Sequence, residues 1–145
     1  MASFVYTPSL SRMGRGTFDW VGQDVRVKLL MSNTTADTDQ DAENPADITT
    51  QDIMDGANYV EKAAANEADS EDLPNNRLEL SFDPITWIAL GNGTRAVVGA
   101  LVYQFVTNDV DSLNIAYIDL GTINPGGADL TITCNAQGLV QIAAV

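Results

Sequence analysis

Four carboxylates alternate along one short stretch, Asp37, Asp39, Asp41 and Glu43. A flexible loop gathers oxygen ligands around a hard cation such as calcium with that kind of spacing. The pattern stops short of an EF-hand: Ala42 stands at the sixth loop position, where glycine makes the sharp turn, and Ile48 at the twelfth, where a glutamate binds with both oxygens. The four residues are a candidate cation set, and no cofactor is expected. The chain has no histidine and one cysteine, Cys134, which excludes Ser/His/Asp and Cys/His triads, an intrachain disulfide and most zinc sites. Paired carboxylates could in principle serve a glycosidase, but nothing in the spacing brings two of the acids together. Gly91-Asn92-Gly93 lacks the lysine of a phosphate loop and suits a turn. Asn33-Thr34-Thr35 and Asn92-Gly93-Thr94 fit the glycosylation pattern; with no basic and then apolar leader over Met1 to Thr7, they read as chance matches. Trp20 and Trp87 are the two side chains a sugar could stack on, and for Trp87, in an alternating stretch, core packing is the expected fate. The chemistry as a whole points away from an enzyme.

Charge narrows the partners. The 145 residues carry a net −13. Residues 33–72 hold twelve of the twenty acids against one base, Lys62, while residues 1–32 carry four bases against two acids. Nucleic-acid affinity rests on Lys and Arg displacing counterions, so a chain of this balance is not expected to bind DNA or RNA. No window approaches the ~20 apolar residues of a membrane span, and a soluble protein made in the cytoplasm is expected.

The elements that would position these residues read as β. Val25, Val27 and Leu29 alternate with Arg26 and Lys28 before Leu30 and Met31, which predicts a first strand over 24–32. Residues 33–58 predict a loop with one helical turn near Thr49 to Met54, touching the core through Ile48, Ile53 and Met54. Tyr59 to Ala65 leans to strand, and Pro74-Asn75-Asn76 reverses the chain. From Arg77 on, strands follow at short spacing: Leu78 to Phe82, Ile85 to Ala89, a nearly all-apolar central strand over 95–106, Leu113 to Leu120, Asp129 to Cys134 and Leu139 to Ala144. Asn92-Gly93 is expected to close one hairpin and Asn135 to Gly138 another. The predicted fold is mainly all-β, an antiparallel β-sandwich or β-barrel, with an N-terminal arm over 1–22 that either tucks under its own sheet as a covering strand or reaches onto a neighbour, and a single β-domain over 23–145 into which the acidic loop 33–72 is inserted.

Six segments taken together resemble a family of small tailed-bacteriophage virion proteins: VRVKLLMS from Val25, NNRLE from Asn75, DPITW from Asp83, RAVVGALVY from Arg95, AYIDLG from Ala116 and LTITCNAQGL from Leu130. The resemblance keeps register and order over most of the chain; the family's glycine-rich stretch is replaced here by Asp55 to Val60. It implies a non-enzymatic structural protein of the capsid-decoration, or cement, type, which sits on the outer capsid surface of the virion and bridges subunits of the major capsid protein. A trimer or dimer is expected, since self-association multiplies a modest contact by avidity. On that reading Phe4, Tyr6, Arg12, Arg15 and Trp20 of the arm contribute to partner contact, residues 34–72 face outward, and a chain without residues 2–20 still folds. The rival readings are a tail or neck component and a carbohydrate-binding sandwich.

Overall fold

Along Val25–Met31 (β2), Val25, Val27 and Leu29 point to one side and Arg26, Lys28 and Leu30 to the other, and almost all of them are buried. A strand covered on both faces needs a layer above and a layer below. The computed structural model, which describes residues 2–136 and 138–143, supplies both. β2 lies in a five-stranded antiparallel sheet of order β1-β8-β7-β2-β3, with β1 Phe4–Val5, β3 Lys62–Ala63, β7 Val97–Gln104 and β8 Leu113–Ile123. The central strands are β7 and β2, as their apolar sequence requires.

The facing layer is a long bent ribbon. β4 (Ala68–Asp72), β5 (Arg77–Ser81) and β10 (Val140–Ala143) form one part, and β6 (Ile85–Leu90) with β9 (Ala128–Ile132) forms the other. β5 runs into β6, and β9 runs towards β10, so the same two stretches pair throughout. Leu80 sits opposite Val140 and Ile85 opposite Ile132: five steps on one stretch face eight on the other, the excess falling between Thr133 and Leu139.

Between the layers pack Val25, Val27, Leu29, Val102 and Ile115 from the sheet and Phe82, Ile85, Trp87, Ile132 and Val140 from the ribbon. Each such side chain contributes roughly 1.5–3 kcal/mol when fully buried. A second, smaller core lies on the sheet's other face, where Leu30, Leu101, Tyr103 and Tyr117 are covered by Tyr6, Ala36, Ala42 and Ile48. Gly99 permits this arrangement, because a Cβ there would lie 2.3 Å from the Tyr117 hydroxyl. The fold is therefore all-β with antiparallel sheets and, among the described residues, one α-helix, α1 (Thr7–Gly14).

Several local expectations are corrected. The segment 2–22 takes the first of its two expected courses, lying on its own sheet, but with an unexpected helix: β1 pairs with β8, α1 follows, and Tyr6 and Trp20 enter the two cores. The helix was hidden because its Pro8 reads as a breaker, whereas in the first turn a missing N–H costs nothing. The helical turn near 49–54 forms earlier, at Pro45–Asp47, where Asn44 and Asp47 cap one another; Ile48 and Met54 are buried as expected but Ile53 is exposed. Asn92-Gly93 closes no hairpin, since β6 and β7 lie in different layers. Gly93 serves close packing instead, with Met31 Sδ and Asp55 Oδ1 both 2.7 Å from where a Cβ would stand. Asn135 to Gly138 likewise joins β9 to β10 along the ribbon and not as a hairpin pair.

Candidate functional site

The alternating carboxylates belong to the layer that covers the second core, and they face separate tasks. Asp39 accepts hydrogen bonds from the Thr35 hydroxyl (2.7 Å) and the Thr49 N–H (2.8 Å), tying the two ends of the covering loop together. The Thr35 bond, with those from Thr49, holds its carboxyl below the usual range against the opposing effect of burial. Glu43 pairs with Arg12 at 2.9 Å, which fastens α1 to the loop. Asp41 is exposed, and Asp37 lies near Tyr117 beside a shallow depression with Asp119. Among the described residues no group of three or more acids or cysteines is placed to hold a metal ion. Of the four carboxylates that suggested a cation loop, Asp39 and Glu43 act as loop-fastening acceptors.

Other acids of the segment do the same work. Asp52 accepts from the Asn33 N–H and from the Arg95 guanidinium, which is the main reason its carboxyl is held low. Asp55 takes both the N–H and the hydroxyl of Thr94, at 2.8 and 2.9 Å. Lys28 is 4% exposed and lies under the same cover, its Nζ 2.7 Å from Asp109, 3.4 Å from Gln51 and 4.8 Å from the centre of the Tyr103 ring. Burial alone would raise the Asp109 carboxyl, and the Lys28 and Gln51 hydrogen bonds outweigh it to leave the carboxyl low. Next to it, Arg26 stacks 3.5 Å over the Phe105 ring.

The arm residues expected to meet a partner are divided by the structure. Tyr6 is fully buried and donates from its hydroxyl to the Ala36 carbonyl at 2.9 Å; burial pushes its phenol well up. Trp20 is 3% exposed and donates to the Ser81 carbonyl at 2.9 Å, with its ring stacked near Phe82. Both are committed within the chain, so as folded they offer a partner nothing. Phe4 is half-buried, edge-on to Tyr6 and stacked with Tyr117 at 5.6 Å. Of the five, Arg15 alone is exposed. Trp87 is completely buried and donates to the Val60 carbonyl at 2.7 Å, so neither indole presents an open face for a sugar.

What the sequence reading missed is an open seam. Where the β1–β8 side of the sheet faces β9 and β10, the two layers leave a groove of about 540 Å³, a size within the range of ~300–1,000 Å³ typical of binding clefts. Phe4, Val5, Ile118, Leu120, Cys134 and Leu139 form its apolar part, and no described lining residue is charged. The Cys134 thiol is pushed up by burial, which slows its reaction as a nucleophile without closing it off. The signal was present in the sequence only as apolar residues on both faces of Ala116 to Leu120, which a single core does not require.

Comparison with protein-family models, with curated proteins and with solved structures returned no match to this chain. What the fold and the site define is an all-β protein whose acidic segment is built into the fold and whose layers part at one uncharged, apolar groove.

Proposed function

We propose that this protein is a non-enzymatic bacteriophage structural protein of the capsid-decoration type, located on the outer capsid surface and bridging major capsid subunits as a dimer or trimer. The observation that carries the reading is the resemblance of the six quoted segments to small virion proteins, and those segments correspond to β2, β5, β6, β7, β8 and the β9–β10 stretch, the framework of both layers. The bonding supports it as well. The acidic side chains with the closest contacts act as loop acceptors and ion-pair partners, the chemistry of a part that adheres by area and shape.

The arm's proposed role changes with the structure. Tyr6 and Trp20 are core residues, so removing residues 2–20 is expected to unfold the protein and not merely to detach it. Quantitative mass spectrometry of purified virions, with electron cryo-microscopy of the shell, tests the proposal. Hundreds of copies over the lattice are expected; a dozen or fewer at one vertex would make the protein a tail or neck component, and absence from particles would end the virion reading.

A further inference from the structure

Both layers end on the same side of the molecule. β1 beside β8 bounds the sheet there, and β9 and β10 bound the ribbon, each at the end of its strand order. The β8 boundary is chemically capped. The Asp119 N–H donates to the Ser3 hydroxyl and the Gly121 N–H to the Asp119 carboxylate, both at 2.9 Å. β9 has less protection. Its sequence, ADLTI, contains no lysine or proline, and the carboxylate of its one charged residue, Asp129, is turned back to the Ala89 N–H at 2.8 Å. Natural sheets blunt an edge with just such lysines, prolines or outward charges.

An unprotected edge beside an apolar groove is the geometry by which an extended peptide adds to a sheet: main-chain bonds hold it and alternate side chains enter the groove. Charge selects the occupant. Arg12, Arg26, Lys28, Arg77 and Arg95, five of the seven bases, are ion-paired within the chain, and the twenty acids outnumber the bases to leave a net −13. A second copy would bring the same net negative charge to the seam, whereas an apolar strand flanked by lysine or arginine would suit the uncharged groove and be drawn by the charge of the chain as a whole. We infer that the seam, with the β9 edge over Phe4, Val5, Ile118, Leu120 and Leu139, receives an extended, basic-flanked strand from a partner protein. The inference stands on the seam and does not depend on the capsid reading.

The test uses the full chain and two synthetic peptides, Lys-Thr-Val-Thr-Val-Thr-Val-Lys and the same peptide with glutamate at each end. Cys134 is the chain's one thiol and lines the groove, so its rate of alkylation by N-ethylmaleimide reports occupancy, while amide hydrogen exchange over residues 129–133 reports an added strand. The lysine peptide is expected to slow alkylation and protect those amides, with the glutamate peptide about tenfold weaker and the difference shrinking at high salt. Leu120→Lys should abolish the effect. Should that variant melt early, the exposed Thr133→Lys provides the second arm, weakening the lysine peptide and strengthening the glutamate one. The proposal is overturned if neither peptide slows alkylation, if both slow it equally, or if protection follows protein concentration without peptide, the mark of a second copy.

Discussion

The acidic stretch contains two regions of similar composition and opposite fate. Residues 33–55 carry seven acids and no base, and residues 56–76 carry five acids and one base. The first becomes a cover over Leu30, Leu101, Tyr103 and Tyr117, with Ala36, Ala42 and Ile48 buried and Asp39, Asp47, Asp52 and Asp55 accepting backbone N–H bonds. The second supplies β3 and then β4 with the turn into β5, where Ala68 to Glu71 are exposed and Leu73 at the turn is 72% exposed. What separates them is the surface beneath. A sheet face bearing tyrosines and leucines demands cover, and a loop that provides it must find internal partners for its own buried N–H groups; short aspartate side chains supply acceptors. The β4–β5 hairpin has its own ladder bonds, so Asp69 and Glu71 can stay in water while Asp72 and Glu79 pair with Arg77.

That contrast is most severely tested at Tyr6, which joins the cover to the sheet. Tyr6→Ala is expected to cost about 3–5 kcal/mol in urea unfolding, the range for a large buried aromatic. A loss under about 1 kcal/mol would show that the cover melts separately from the rest. Lys28→Met comes next. Breaking a fully buried pair costs about 3–5 kcal/mol, and with the Asp109 side chain 37% exposed we expect about 2–3, part of it recovered in the Lys28→Met/Asp109→Asn double variant.

Asp39→Asn should cost about 1–2 kcal/mol near neutral pH, since two hydrogen bonds to a charged acceptor are weakened. It should also alter the pH dependence. Asp39, Asp52 and Asp109 are all held below the ordinary carboxylate value in the folded protein. The unfolded chain therefore binds more protons in acid, and the stability these groups contribute is complete above about pH 4 and lost as pH falls through their lower folded values. Urea midpoints measured from neutral to strongly acidic pH should decline over that window, and less steeply in the Asp39→Asn variant; parallel curves would remove Asp39 from the account. The smallest change is expected on the hairpin, where Leu73→Ser should stay within about 0.5 kcal/mol of the parent in the same assay. A larger loss there would mean that the hairpin tip has a covered surface in solution.

Period-two alternation made β2 and the strands from Arg77 on legible, because a side chain's face is fixed by its position along a strand whatever surrounds it. Pro74-Asn75-Asn76 marked its reversal for an equally local reason: Asn76 adopts a left-handed conformation, φ +51°, that asparagine tolerates. The two other turns, Asn92-Gly93 and Asn135 to Gly138, misled. Their residues permit a sharp bend, and which strand lies next door is set by layers assembled from distant parts of the chain.

The same division holds for the site. Composition by itself determined that no histidine chemistry and no intrachain disulfide is available and that the net charge is strongly acidic, since these follow from counting side chains. Only the tertiary structure decided that Asp39 closes a loop, that Tyr6 and Trp20 lie in cores, and that the two layers part beside β9. The last two depend on contacts between residues tens of positions apart, and a carboxylate or an indole carries no local mark of what the fold will bring against it.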